Sequence, residues 1–296
     1  MDTAQPSATA TIMAFHRALE MLYPEVERVC QDPLAATFLP ADWAELLHNR
    51  EQLTVLMNEK AKLFPGVNGA IVSRVRFIDD VVNQMLSDGM AQLVILGAGY
   101  DSRAYRVKGI DTQVTVFEIN DPITQVDKLA KLESAMGTRP DHVNYIAMDF
   151  AKDSIKSRLA ENGYDSDKKS LFVLEGLIPY IPAKALAGLL DFIAENKGVR
   201  NEVVFDYLPP SVIDGTCEWV EGRNMHQEVN SHGEAFKLGF DKDALEAFLK
   251  GRGFDIVENV NASDLKSRYF TTASVRRPVT PVFWFAHART ASHAGD

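Results

Sequence analysis

Two glycines one residue apart stand at the junction between a short apolar run and a segment suited to a helix. The run 93–96 leads directly into Gly97, Ala98 and Gly99. Glycine has no Cβ, so the backbone can turn sharply there and approach a ligand closely. The N–H groups at the start of the following helix would point to the same place. A full dinucleotide fingerprint would have a third glycine at position 102, where this chain has Ser102, which argues against a pyrophosphate ligand.

A second apolar run ends in two polar residues, Glu118 and Asn120. Side chains two positions apart on a strand lie on the same face. Ribose hydroxyls are donors, and Glu118 could accept from both of them, whereas Asn120 could accept one hydrogen bond and donate another. We therefore predict a ribose contact here, with a solvated carboxylate at the end of a strand as the alternative for Glu118.

Acidic residues also follow the third and fourth apolar runs. Asp149 and Phe150 suit an adenine, whose amine donates and whose ring stacks, but a helix cap and a core phenylalanine would produce the same pair. Glu175 ends an otherwise apolar run, where a carboxylate is costly unless it has a partner. A ligand ammonium or a structural arginine would satisfy it.

The overall composition narrows the class of protein that carries these residues. The chain has 296 residues, and its 46% hydrophobic content excludes a disordered or collagen-like protein. Its 41 acidic side chains against 31 Lys plus Arg give a charge of −10, which argues against nucleic-acid or anionic-membrane partners. Cys30 and Cys217 form no metal-binding pattern, so no metal site is expected. Residues 1–11 lack secretory features, and no apolar stretch approaches the roughly 20 residues of a membrane span. We expect a cytoplasmic protein.

The residue pattern divides the chain into a helical preface and an alternating core. Within 1–90, a helical cap, the segments 11–22, 41–64 and 68–87 carry apolar residues at helical spacing. Within 91–206, short apolar runs alternate with amphipathic stretches, which predicts a doubly wound α/β core with a mostly parallel sheet. The predicted strands are 92–96, 113–117, 143–147, 170–174 and 202–205. The clearest helix is 182–196, with Pro182 in its first turn and Gly198 at its end.

The rest of the chain is expected to cover and complete that sheet. Segment 207–240 has no long apolar run and is interpreted as a lid insertion. Within 241–296, Asp241 should cap a helix, and two more strands, 254–260 and 279–288, should form an antiparallel hairpin. The sheet would then have seven strands. Ligands of open parallel sheets bind at the carboxyl ends of the strands, so the four features above should converge on one site.

A glycine turn, a ribose acceptor, an adenine-like pair and a buried acid together outline S-adenosylmethionine, an adenosine with an amino-acid tail and no phosphate. At these residues the sequence resembles the leucine carboxyl methyltransferase family, particularly its bacterial small-molecule O-methyltransferase branch. The matching segments are SRVRFIDD at 73–80, LGAGYDSRAYR at 96–106 and FEINDP at 117–122, with further agreement at 16–18, 32–35, 175–180 and 233–234.

The resemblance implies a class I, Rossmann-like methyltransferase sheet and assigns roles to individual residues. Arg74 would pair with the methionine carboxylate, and its fork geometry suits that role. Gly97 and Gly99 would line the cofactor, Asp149 and Phe150 would hold the adenine, and Glu175 would lie near the methionine amino end. The family usually has Asp where this chain has Asn120, the expected ribose contact. Arg103 and Arg106 are interpreted as structural pairings.

The predicted activity is S-adenosylmethionine-dependent O-methylation of a carboxylate or hydroxyl on a small molecule, polyketide-like or another metabolite. A carboxylate acceptor needs no base, whereas a hydroxyl acceptor would need one, with His226, His232 or Tyr207 as candidates. Tyr180 is predicted to contact the acceptor. Two alternatives stay open: a nicotinamide-dependent oxidoreductase, disfavoured by Ser102 and by the lack of a Tyr-x-x-x-Lys pair, and a non-catalytic cofactor-binding protein. The oligomeric state is left open.

Overall fold

A seven-stranded sheet organises the computed structural model, which describes residues 5–150, 153–195, 200–271 and 273–291. Its spatial order is β3-β2-β1-β4-β5-β7-β6. Strands β1 to β5 pair in parallel, and β7 runs antiparallel to both of its neighbours. The predicted doubly wound, mostly parallel sheet is confirmed. The strands are β1 Gln92–Leu96, β2 Thr115–Asn120, β3 Val143–Ala147, β4 Ser170–Leu174, β5 Glu202–Tyr207, β6 Phe254–Asn261 and β7 Trp284–Thr290.

Helices precede the sheet, cover both of its faces and fill the connections between strands. The longest is α4, where an apolar stripe that includes Ile71, Val75, Ile78 and Val82 is buried because it packs against the sheet core. The described helices are α1 Ala8–Glu20, α2 Ala41–Leu46, α3 Arg50–Leu63, α4 Val67–Ser87, α5 Arg103–Arg106, α6 Ile110–Gln113, α7 Pro122–Met136, α8 Ile155–Glu161, α9 Ala183–Ala194, α10 Pro210–Ile213, α11 Val220–Ser231, α12 Lys242–Lys250 and α13 Ala262–Tyr269, with 3₁₀ turns at Glu25–Glu27, Ala35–Phe38 and Ile178–Tyr180.

Local capping explains several element boundaries. Segment 41–64, predicted as one helix, is two, because Asn49 begins a second helix by accepting a hydrogen bond from the Gln52 N–H at 3.1 Å. Pro182 occupies the N-cap of α9 rather than its first turn. The predicted end of that helix, at Asn196 and Gly198, lies outside the described residues. Asp241 is at the N-cap of α12, but its side chain makes no capping hydrogen bond.

The last two strands differ from the predicted hairpin. Strand β7 begins at Trp284 instead of 279, and α13 lies between it and β6, so the two strands pair antiparallel without a tight turn. The Asn261 side chain starts α13 through a capping box with Asp264, which ends β6 directly. None of the described helices is both long and apolar enough to cross a membrane.

Candidate functional site

A cavity of about 450 Å³ opens at the carboxyl ends of β1, β2 and β4. Its lining comes from the glycine loop after β1, the end of β2, the loop after β4, helix α1 and the loop 233–237. These elements meet because parallel strands end at the same edge of the sheet. The cavity brings together seven of the predicted site residues: Arg74, Gly97, Gly99, Asn120, Phe150, Tyr180 and Glu175.

The glycine loop forms one wall, and both glycines adopt the left-handed backbone that favours this residue. Gly97 has φ of 66° and Gly99 has φ of 46°. A Cβ on Gly99 would stand 3.1 Å from the Cβ of Ala10 in helix α1, and one on Gly97 would stand 3.1 Å from a methyl of Leu177. The absent side chains therefore let the loop adopt its turn beneath α1 and the loop after β4.

At the end of β2, the cavity is lined by Asn120 and not by Glu118. The Asn120 Nδ2 is buried without a hydrogen-bond partner. Glu118 instead forms a buried ion pair with Lys128 at 2.7 Å and accepts a hydrogen bond from the Tyr105 hydroxyl at 3.0 Å. Burial raises the pKa of Glu118, and Lys128 counteracts part of that rise. The prediction that Glu118 accepts the ribose hydroxyls therefore has no geometric support.

Of the two residues predicted to hold the adenine, Phe150 lines the cavity and Asp149 does not. The half-buried ring of Phe150 lines the cavity and packs against the core on that side of the sheet. Asp149 is not among the lining residues. Its N–H donates to Oδ2 of Asp153 at 2.9 Å. Phe150 is thus the member of the pair that is placed to contact a base.

Arginines and carboxylates alternate across the floor of the cavity. Arg74 Nε donates to Oε1 of Glu175 at 3.0 Å, and Arg103 Nη1 donates to Oε2 of Glu175 at 2.6 Å. Arg103 also pairs with Asp79 at 2.7 Å and contacts Asp101. The Glu175 side chain is 12% exposed at the cavity, and the two guanidinium groups hold its pKa well below the usual range. The carboxylate is therefore ionised, and the interpretation of Arg103 as a structural pairing agrees with these contacts.

Several charged residues in this region were missed by the sequence reasoning, among them Asp206, Arg17 and Lys237. Asp206, at the end of β5, accepts a hydrogen bond from Arg74 Nη1 at 2.8 Å. It ends an apolar strand as Glu175 does, so the same pattern would have found it. Arg17 of α1 lines the cavity, pairs with the fully buried Asp32 at 2.7 Å and donates to the carbonyl of Tyr100 at 2.6 Å.

Of the three predicted catalytic residues, Tyr180 alone lines the cavity. Burial raises the pKa of Tyr180 to about 12, and a contact with Thr9 offsets part of that rise. Tyr207 is fully buried, and its hydroxyl donates to Oδ1 of Asn259 at 2.7 Å. His226 lies on α11 beside Gly215 and Asn230, outside the cavity lining. Neither Tyr207 nor His226 is placed to act on a ligand in this cavity.

Helix α1 and the loop 233–237 meet over the cavity. The Thr9 hydroxyl donates to Glu234 in a short contact, and Ser7 Oγ donates to the same carboxylate at 3.4 Å. The Lys237 N–H donates to the carbonyl of Pro179 at 2.6 Å, which ties the loop to the residue before Tyr180. These bonds join helix α1, the loop 233–237 and the loop after β4.

The lining fits an adenosine that carries an amino-acid tail. The glycine loop leaves room for close backbone approach, and the amide of Asn120, whose Nδ2 has no partner in the protein, offers an oxygen that can accept from a ribose hydroxyl. Phe150 offers a ring face to the base. Arg74 and Glu175 present opposite charges for a carboxylate and an ammonium.

The strand order, with antiparallel β7 inserted between β5 and β6, and the glycine loop after β1 define the class I methyltransferase fold. A crystal structure of a protein from Thermobifida fusca YX, described as a methyltransferase, superimposes with a TM-score of 0.60 at 11% identity, covering 98% of this chain and 97% of that one. The chain belongs to the leucine carboxyl methyltransferase family, whose sequence model matches residues 10–194. It is therefore an S-adenosyl-L-methionine-dependent methyltransferase.

Bacterial relatives align over most of this chain. YktD of Bacillus subtilis (strain 168) is 27% identical over 247 residues, covering 81% of this chain and 80% of the relative. A protein of Mycobacterium ulcerans (strain Agy99) is 30% identical over 246 residues, covering 82% and 77%. Both are named as S-adenosyl-L-methionine-dependent methyltransferases.

Proposed function

We propose that the protein transfers the methyl group of S-adenosyl-L-methionine to a carboxylate oxygen of a small molecule, producing a methyl ester. The observation that carries this choice is that no histidine of the described residues lines the cavity, and that each lining carboxylate already accepts hydrogen bonds from the protein. Glu175 is engaged by two arginines, and the raised pKa of Tyr180, about 12, makes its hydroxyl a donor at neutral pH. A carboxylate acceptor is already ionised and needs no proton removed.

The cofactor side of the cavity is assigned residue by residue. Gly97 and Gly99 would line the cofactor, Asn120 would contact the ribose and Phe150 the adenine. Arg74 would hold the methionine carboxylate. When bound, the cofactor supplies an electrophilic methyl group on its sulfonium, so the chain has to align the acceptor in line with it and exclude water.

The acceptor side is assigned to Tyr180, Glu234 and Lys237. Lys237 lines the cavity, and among the described residues its ammonium forms no ion pair, unlike the arginines below it. Glu234 is already bonded to Thr9 and Ser7. Lys237 is therefore the cation best placed to meet the charge of an incoming carboxylate, and its backbone bond to Pro179 fixes it beside Tyr180.

The closing of α1 against the loop 233–237 supports a small acceptor. A cavity of about 450 Å³ has to hold the cofactor as well as the reacting group of the acceptor. Met13, Ala10 and Tyr180 give the remaining space a mixed apolar and hydroxyl surface. A small carboxylic acid matches that volume better than a folded protein terminus.

The test is methyl transfer from S-adenosyl-L-methionine labelled on the methyl group to matched acids and alcohols, benzoic acid against phenol and octanoic acid against octanol. We expect labelled products from the acids, which release labelled methanol in mild alkali as esters do. Base-stable label on phenol or octanol would show hydroxyl methylation instead. Binding of the cofactor without transfer to any acceptor in a wider acid panel would favour the non-catalytic alternative.

Lys237→Met provides the residue-level test of the acceptor side. We expect the KM for the accepted acid to rise by about tenfold, the loss of one charge-assisted contact, with unchanged affinity for S-adenosylhomocysteine. Lys237→Arg should retain most of the activity. Lys184→Met, an exposed lysine on α9 outside the cavity, is the matched control. An unchanged KM in Lys237→Met would remove Lys237 from the acceptor site.

A further inference from the structure

Strand β5 carries two acidic residues at its opposite ends, Glu202 and Asp206, and both are buried. Glu202 pairs with His287 on the neighbouring strand β7 at 2.5 Å, at the edge of the sheet remote from the glycine loop. Asp206 ends the strand on the cavity side and is 2% exposed. It does not line the cavity itself but contacts two residues that do.

Each carboxylate oxygen of Asp206 accepts a hydrogen bond from one of those two residues, Arg74 and Gly176. Oδ2 accepts a hydrogen bond from Arg74 Nη1 at 2.8 Å, and Oδ1 accepts one from the Gly176 N–H at 2.5 Å. Gly176 has φ of 66° and follows Glu175 in the loop after β4. One buried carboxylate therefore holds both the guanidinium of α4 and the backbone of the loop that carries Glu175.

The contacts of Arg74 show which of its donors is left for a ligand. Nε and Nη2 both lie 3.0 Å from Oε1 of Glu175, and Nη1 is held by Asp206. Nη2 also donates to the Sδ of Met13 at 3.1 Å. A thioether is a weak acceptor, so a carboxylate would readily replace it. The contacts to Glu175 and Asp206 hold the guanidinium, so it presents that N–H in a fixed direction.

We propose that Asp206 is a positioning residue for the amino-acid end of the cofactor, acting through Arg74 and the Gly176 peptide. The inference rests on the proposed use of Arg74 for the methionine carboxylate. The arginine is long and flexible, and ordering its side chain before binding reduces the entropy lost when the ligand binds. Burial raises the pKa of Asp206, and the adjacent Arg74 guanidinium and the Gly176 N–H counteract part of that rise.

The affinities for two ligands distinguish a positioning role of Asp206 from a general effect on the stability of the site. S-Adenosylhomocysteine has the amino-acid end, whereas 5′-methylthioadenosine shares the adenosine and the thioether but lacks that end. In Asp206→Asn, we expect the affinity for S-adenosylhomocysteine to fall by about tenfold or more, the loss of a charge-assisted contact, with affinity for 5′-methylthioadenosine unchanged. Calorimetric titration of both ligands measures the ratio directly and needs no acceptor.

Glu202→Gln is the matched control, because it alters a buried hydrogen bond between Glu202 and His287 at the far end of the same strand. We expect it to lower thermal stability without changing the ratio of the two affinities. Arg74→Lys is a second test that leaves Asp206 in place. Lysine keeps the charge but lacks the planar fork that spans Asp206, Glu175 and a ligand, so the same selective loss is expected even if Asp206→Asn does not fold.

Equal losses for both ligands in Asp206→Asn would overturn the inference, because they would show a general loosening of the site. Retention of both affinities would overturn it as well. Failure of the wild-type protein to bind either ligand would instead count against the proposed function. The two failures are therefore distinguishable within one set of titrations.

Discussion

Lys128 Nζ lies 2.7 Å from Oε2 of Glu118, and each side chain is 1% exposed. The pair joins α7 to β2 directly behind the cavity wall. It explains why Glu118, at the end of β2, is not available to a ligand. Asn120, two residues further along the strand, lines the cavity instead, so the proposed ribose contact is assigned to it.

Lys128→Met should destabilise the fold by about 3–5 kcal/mol, because it leaves the buried Glu118 carboxylate without its cation. Urea unfolding measures the change. The matched control is Lys62→Met on α3, where an exposed ion pair with Glu59 is lost at a cost of less than about 1 kcal/mol. Adding Glu118→Gln to Lys128→Met should recover part of the loss. Equal destabilisation by the two lysine variants would contradict a buried-charge explanation.

Asn120→Asp should strengthen cofactor binding by about fivefold, since hydrogen bonds to a charged acceptor are stronger than those to an amide by roughly 1 kcal/mol. The carboxylate would accept from both ribose hydroxyls. Titration with S-adenosylhomocysteine measures the effect. Asn58→Asp adds the same charge on the exposed surface of α3 and should leave the affinity unchanged. Weaker binding in Asn120→Asp would mean that the Nδ2 donor makes the essential contact.

Gly99→Ala should impair cofactor binding, because its Cβ would press on Ala10 and push α1 away from the glycine loop. The left-handed backbone adds a cost of roughly 1–2 kcal/mol. Gly137→Ala is the control: its φ is 80° and a Cβ there would meet nothing within 4 Å. Both variants should lose stability in urea, but only Gly99→Ala should lose the thermal shift produced by S-adenosylhomocysteine. A retained shift would exclude close contact at this position.

His16 should make stability fall as the pH drops from about 6.5 towards 4. Burial, and then the charges of Arg74, Lys60 and Arg17, lower its pKa from 6.5 to about 4. Its Nδ1 lies 3.0 Å from Nδ2 of Asn68, whose Oδ1 accepts from Arg277, so Nδ1 is the acceptor. Between these pH values the unfolded chain binds the proton and the folded protein does not, so acid favours unfolding.

The pH effect of His16 should reach about 2 kcal/mol between pH 7 and pH 5, measured by urea unfolding. His16→Gln keeps an acceptor for Asn68 and should remove most of this pH dependence. His48→Gln, at an exposed position, should preserve it. The carboxyl of Glu175, with its lowered pKa, loses its stabilising effect only below the usual glutamate range, so it does not contribute in this window. An unchanged slope in His16→Gln would assign the effect to another group.

Much of the site was predictable from local sequence because its signals are local. The apolar run before Gly97 and the acid after the fourth run depend only on which residues are adjacent, and the structure places Gly97 and Glu175 at the cavity. The role of Arg74 was predicted from the family resemblance, since an arginine on an amphipathic helix is otherwise a common surface residue. The spacing of residues along the helix could not predict that Arg74 is buried between the carboxylates of Glu175 and Asp206.

The misplacement of Glu118 has a physical cause in the packing of α7. Strand alternation put Glu118 and Asn120 on one face, but it could not show that a lysine ten residues later would be buried against the first of them. One signal was present: Lys128 falls in register with Thr124 and Leu132, the buried stripe of α7. A lysine in such a stripe requires an anion, and Glu118 supplies it.

The sequence by itself determined the alternation of strands and helices in the first five strands, the glycine turn and the family, because each depends on neighbouring residue types or on a continuous motif. The tertiary structure decided which carboxylates line the cavity and which form ion pairs inside the protein. It also decided that Tyr207 and His226 lie away from the cavity while Asp206 supports it. That outcome depends on distances between residues remote in sequence, since a buried charge pairs with the opposite charge that packing brings nearest.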